Sequence, residues 1–234
     1  MTIDVEISAN HVNPQKIKGK TVIVIDVLRA TSVMTTALAN GALKIIPVKT
    51  TNDVFAVARD YPQVIKAGER HAEKVEGFDA GNSPFEFSKP YVKDKVIVMS
   101  TTNGTNALLQ TKEAKQVIIG SFLNLNAVVR HIEQRRDDII LLCAGTNGEF
   151  SLDDALCAGA FVHEIAHKFA CRLSDIASAH DQLYRFSKDL HTSLTECMHY
   201  NILRSKGLQN DLDYCLTLNI LDIVPVWKNG EVRI

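Results

Sequence analysis

In the stretch VIVIDVLRATSV (22–33), Asp26 closes an apolar, β-branched run, Arg29 follows three positions later, and Thr31 and Ser32 stand just beyond. A carboxylate can hold a hard cation or attack phosphorus. A guanidinium offers a planar fork to phosphate or sulfonate. Together they are the parts of a metal-assisted phosphoryl site. The plainer alternatives are that Asp26 caps the next turn and that Arg29 pairs with Asp26 alone. Placement at the end of an apolar strand favours chemistry, because open parallel sheets bind ligands beyond the carboxyl ends of their strands.

Other strand ends have the same character. KVIVM runs into Ser100, Thr101, Thr102, Asn103, Gly104 and Thr105, whose hydroxyls and backbone N–H groups can cradle an anion. An Asn-Gly turn with a Thr cap would look the same. DIILL ends in Cys143, Ala144, Gly145 and Thr146. A C-x5-R phosphatase loop would need Arg at 149, where Glu149 stands, so Cys143 reads as a small buried apolar residue. Glu69 ends VIKAGE, and Asn82, Ser83 and Glu86 lie in AGNSPFE; taken singly, each suits a turn or the surface. His163-Glu-Ile-Ala-His167 matches the zinc-protease H-E-x-x-H. Leu173 occupies the place of a third histidine, and the neighbouring helix face is apolar, so a core helix with a solvated edge is the better reading.

Six runs read as strands: 21–27, 43–48, 64–69, 95–100, 116–121 and 138–144. Helical text lies between most of them. Alternation of this kind predicts an α/β protein, three-layer α/β/α, with a largely parallel or mixed sheet. From about 151 the text turns helical. Ser151 is placed to cap a helix whose core face carries Leu152, Leu156, Gly159, Val162, Ala166 and Phe169, with Asp153 and Asp154 in its first turn. KNGE near the end predicts a terminal β-hairpin. Segment 70–94 is long and irregular, but Phe78, Phe85, Phe87 and Tyr91 argue that it packs. With no repeat or low-complexity linker, the 234 residues read as a single domain, 1–234, with a helical C-terminal part.

Composition narrows the function classes. A net charge of −1 gives no general nucleic-acid footprint and no membrane-surface patch. No apolar run is long enough to span a bilayer, and the N-terminus does not read as a signal peptide. Five scattered cysteines without C-x-x-C fit a reduced, cytoplasmic protein with neither zinc cage nor disulfide framework.

Five segments, VIDVLRATSV (24–33), AGER (67–70), GFDAGNSPFE (77–86), STTNGT (100–105) and CAGTNGEFSLDDALCAG (143–159), together resemble the magnesium-dependent 2-phosphosulfolactate phosphatases, in that family's order and across most of the chain. The resemblance implies hydrolysis of 2-phospho-3-sulfolactate to 3-sulfolactate and phosphate, in coenzyme M biosynthesis, on the family's own α/β architecture. It implies Mg²⁺ at Asp26 with Glu69 or Asp154. It makes Asp26 and Arg29 catalytic. Arg29, Thr31, Ser32, Asn82, Ser83, 101–105 and 144–146 would bind a small anionic phosphorylated substrate. A homodimer is compatible with it. Residues 170–218 match loosely, and no site residue is expected there. The rival classes are a phosphatase for another small phosphorylated acid and a non-catalytic anion-binding α/β protein.

Overall fold

The computed structural model describes residues 1–234, and each of the six apolar runs becomes a strand. In chain order the strands are β1 Thr2–Glu6, β2 Thr21–Ile25, β3 Lys44–Pro47, β4 Val64–Arg70, β5 Glu73–Lys74, β6 Val96–Ser100, β7 Gln116–Gly120, β8 Ile139–Cys143, β9 Arg172–Leu173, β10 Val226–Lys228 and β11 Glu231–Arg233. They form one mixed, mostly parallel sheet in the order β5-β4-β6-β3-β11-β10-β7-β2-β8-β1-β9. One parallel set is β4-β6-β3, and the other is β7-β2-β8-β1-β9.

The terminal hairpin joins the two sets. Asn229 and Gly230 both have positive φ, +53° and +82°, which a two-residue type I′ turn requires. β10 pairs antiparallel with β7, and β11 pairs antiparallel with β3. The KNGE hairpin is therefore an internal part of the sheet.

The period of two along each strand sends alternate side chains to different layers. Val22 and Val24 of β2 share a core with Ile45, Ile97 and helix Ala30–Ala39. Ile23 and Ile25 face the opposite side, against helices Leu125–Glu133 and Leu152–Lys168. On the other set, Val98 packs on Val54 and Phe78, under helix Thr51–Ala58. Helices thus cover both faces in a three-layer α/β arrangement, which explains strands that are apolar on both sides.

Three expectations need correction. Helix Leu152–Lys168 is not buried along one stripe; Asp153 through Val162 are all buried. It lies between the sheet and helix Asp175–Phe186, and a Cβ added at Gly159 would fall 2.2 Å from the His180 carbonyl. Ser151 sits at its N-cap position, but its hydroxyl bonds Thr146 and Asp153 instead of the helix backbone. Within 70–94, Phe78 and Phe87 are buried, whereas Phe85 is 58 % exposed, with its ring against that of Tyr214.

Candidate active site

The carboxyl ends of β2, β4, β6 and β8 lead into one cavity of about 260 Å³. Its wall includes Asp26, Arg29, Glu69, Thr101 and Thr146, together with His199 from the C-terminal helices.

Asp26 is held at both ends. Thr31 donates its N–H and its hydroxyl to the Asp26 carbonyl, at 2.9 Å each, and the Asp26 N–H donates to the Thr31 hydroxyl at 3.0 Å. The Ala30 N–H donates to Asp26 Oδ1 at 3.0 Å. So Oδ1 caps helix Ala30–Ala39 while Oδ2 lies against Gly104. Burial pushes the Asp26 pKa up to about 6. Ala30 and His199 oppose the rise, and Asp153 and Glu69 add to it by repulsion.

The nearness of Gly104 to Asp26 is a requirement. A Cβ there would fall 2.6 Å from Ala30 Cβ and 2.7 Å from Asp26 Oδ2. Gly104→Ala is expected to cost about 1–3 kcal/mol of stability by overpacking and to displace the carboxylate. Thermal unfolding together with kcat/KM on the intact variant checks this; an unchanged melting temperature and turnover would show that the contact yields freely.

Gly68 does comparable work on β4. Its φ is +142°, and an added Cβ would fall 2.0 Å from the Ser100 carbonyl, so only glycine lets the strand ends approach this closely. The approach brings Glu69 to the STTNGT loop. Its Oε1 accepts from the N–H and the hydroxyl of Thr102, both at 2.9 Å, and Oε2 accepts from the Ala72 N–H at 2.9 Å. Thr101 and Thr105 lock that loop through reciprocal backbone-to-hydroxyl bonds of 3.0 and 3.1 Å.

Arg29 does not pair with Asp26. Its Nη1 donates to Asp211 Oδ2, and the Ser83 hydroxyl donates to Asp211 Oδ1 at 2.8 Å. Arg29 and Asp211 are both about 4 % exposed. Asp211 thereby fixes the guanidinium, whose remaining face lines the cavity.

The other expected residues divide into two groups. Asn82, Thr101, Thr102, Asn103 and Thr146 reach the cavity wall. Asn82 Oδ1 is buried without a hydrogen-bond partner. Thr31, Ser32, Ser83, Thr105, Ala144 and Gly145 lie behind the wall. The Ser32 hydroxyl donates to the Val27 carbonyl at 2.8 Å. Asp154 also lies behind it. Its carboxylate accepts from the Val27 N–H at 2.9 Å and the Gly145 N–H at 3.0 Å, tying the ends of β2 and β8 together. Burial, with repulsion from Asp153 and Asp26, raises its pKa well above the usual carboxylate range.

The false leads resolve by geometry. Cys143 is 1 % exposed, and burial raises its thiol well above the ordinary range, the opposite of an activated nucleophile. His163 Nδ1 lies 3.0 Å from Asp181, and its ring stands beside that of His167.

Residues 7–230 match the family model for 2-phosphosulpholactate phosphatase. The chain belongs to that family. It is 45 % identical to a Clostridium novyi protein over 233 residues, 99 % of each chain, and 44 % identical to one from Clostridium perfringens SM101 over 237 residues, all of this chain and 96 % of the relative. A Clostridium acetobutylicum relative is 39 % identical over 234 residues, 99 % of this chain and all of its own. Each is named "Probable 2-phosphosulfolactate phosphatase".

Within this family member, the sequence reading did not single out His199 and Lys206 of the cavity wall, nor Asp211, the partner of Arg29 behind it. All come from 170–218, where no motif stands out. One faint signal was present: a buried arginine requires a carboxylate, and Asp211 is the acid that helix Gln209–Cys215 buries.

Proposed function

We propose that the protein hydrolyses 2-phospho-3-sulfolactate to 3-sulfolactate and phosphate with the help of Mg²⁺. One observation carries the reading: Asp26, Glu69, Arg29 and the 101–103 loop share a small cavity at the carboxyl ends of the strands. Its volume of about 260 Å³ suits a compact metabolite; pockets for drug-sized ligands measure roughly 300–1,000 Å³.

The donor set suits magnesium. It consists of hard oxygens, and Mg²⁺ is usually held by one or two carboxylates while the rest of its shell is water and substrate phosphate. Asp26 Oδ2 and the unpartnered Asn82 Oδ1 would hold the ion, with Glu69 beside them. Asp154 is better suited to bracing the two strand ends that flank the site. When bound, magnesium supplies Lewis-acid polarisation of the phosphoryl oxygens. Arg29, pre-set by Asp211, places a fixed positive charge against the phosphoryl group, and Thr101, Thr102 and Asn103 add hydroxyl, amide and N–H donors. Fixed donors need no reorganisation as charge spreads in the transition state.

The test is phosphate release from a panel of phosphorylated small acids, with and without a sulfonate, in Mg²⁺ and in EDTA. The expected result is turnover with Mg²⁺, highest on 2-phospho-3-sulfolactate, lost in EDTA and restored by Mg²⁺. Binding of the panel without turnover would support an anion-binding protein instead. Full activity after stripping with chelator would remove the metal from the reading.

A further inference from the structure

His199 stands in the first turn of helix Met198–Ser205 and shares the cavity wall with Asp26 and Arg29. Its Nδ1 lies 3.5 Å from Asp153 Oδ2. Asp153 is 1 % exposed and is held by the Ser151 hydroxyl at the start of helix Leu152–Lys168. A carboxylate at Nδ1 orients an imidazole and leaves Nε2, on the far side of the ring, as the working nitrogen.

The cavity has a use for such a group. Arg29 and the 101–103 loop serve the phosphoryl group. The group that departs is the alkoxide of a secondary alcohol, a poor leaving group unless protonated. Arg29 does not give up a proton. Lys206 is tied to Glu73, and the other imidazole on the wall, His71, pairs with no carboxylate. The charged groups acting on His199 are Asp153, Asp26 and Arg29.

We propose that His199, oriented by Asp153, donates the proton to the leaving alkoxide oxygen. The inference rests on the phosphatase reading. The ester P–O bond breaks and its electron pair goes to the alkoxide oxygen, which takes the proton from His199 Nε2. Phosphorus takes its new oxygen from water. The imidazole regains its proton from that water by way of solvent, so each turnover consumes one water and no other reactant.

The experiment compares 2-phospho-3-sulfolactate with its 3,3-difluoro analogue, whose alkoxide leaves more readily, in the Mg²⁺-loaded protein and in His199→Asn. Asn keeps an N–H near Asp153 but carries no acidic proton. The expected loss in kcat/KM on the unfluorinated ester is about 10²–10⁴-fold, and on the fluorinated ester at most about tenfold. Equal losses on both, or none on either, would overturn the inference. If the variant fails to fold, the parent decides: a bridging-¹⁸O isotope effect near unity is expected when the leaving oxygen is protonated as the bond breaks, and a large one overturns the proposal. A parent that releases no phosphate from either ester removes the phosphatase reading and this inference with it. A parent that turns over with an unselective loss in the variant removes this inference alone.

Discussion

Asp26→Asn is expected to remove turnover and at the same time to make the metal-free protein more stable at pH 8. Burial raises the pKa of this carboxyl to about 6 from an ordinary 3.8. The folded protein therefore binds that proton more tightly than the unfolded chain does. The resulting stability is fully present below about pH 4 and is lost as pH rises through about 6. At pH 8 the buried charge costs about 3 kcal/mol, at about 1.4 kcal/mol per pKa unit. Asn carries no charge and still offers Oδ1 to the Ala30 N–H. In EDTA at pH 8 the melting temperature should rise by about 5–10 °C. At pH 4 the gain should vanish. Mg²⁺ should raise the melting temperature of the parent and not that of the variant, because the ligand proposed for it is charged only in the parent. The kcat/KM should fall by at least about 10³-fold. A variant less stable than the parent at pH 8, or equally stabilised at both pH values, would show that Asp26 is not the strained charge of the site.

Asp211→Ala should have the opposite effect on stability. It strands the Arg29 guanidinium, which is about 4 % exposed, without its carboxylate. Removing one partner of a buried ion pair costs about 3–5 kcal/mol. For a chain of this length, that lowers the melting temperature by roughly 6–20 °C. Arg29→Ala should cost a comparable amount by stranding Asp211, and kcat/KM should drop in both single variants as the fixed charge moves or disappears. The double variant Arg29→Met/Asp211→Leu separates the two consequences. It replaces both charges by apolar side chains that fill the space between them, so it should recover most of the stability and none of the activity. The decisive measurement is denaturant unfolding of all three variants beside their turnover. An Asp211→Ala protein within about 0.5 kcal/mol of the parent would mean that the pair is solvated and Arg29 is held by something else.

These two residues also mark the division between what is local and what is not. Runs such as TVIVI and VIVMS are apolar on both faces because helices cover both sides of the sheet, so their strand character is written in a few consecutive residues. The groups at their ends follow from the same local text. Asp26, Glu69 and Thr101 had to lie near the carboxyl edge of the sheet once the strands were recognised, and that edge is where such sheets bind ligands. The Asn229-Gly230 turn was legible too, because two successive residues at positive φ have a narrow sequence preference. The family resemblance rested on the same segments, those around the strand ends.

The rest depended on contacts between residues far apart in the chain. The hairpin was readable, but its place between β3 and β7 was not, since it depends on which edges the two parallel sets leave free. Strand β1 escaped notice because its alternating pattern, with Asp4 and Glu6 among the apolar residues, becomes a strand only beside β8. Asp153 and Asp154 are neighbours in sequence, yet one meets His199 and the other clamps the backbones of Val27 and Gly145; the direction each points is set by the turn of a helix and the position of the sheet beneath it. Arg29 had an acid three residues away and pairs instead with one 182 positions later. Asp26 Oδ1 already serves the Ala30 N–H, and the C-terminal helices deliver Asp211 to the far side of the guanidinium. The sequence determined which chemical groups stand at the strand ends, because short apolar periods define strands. The tertiary structure decided which of those groups face the cavity and which partners hold them, because burial and charge pairing are settled only when distant segments pack.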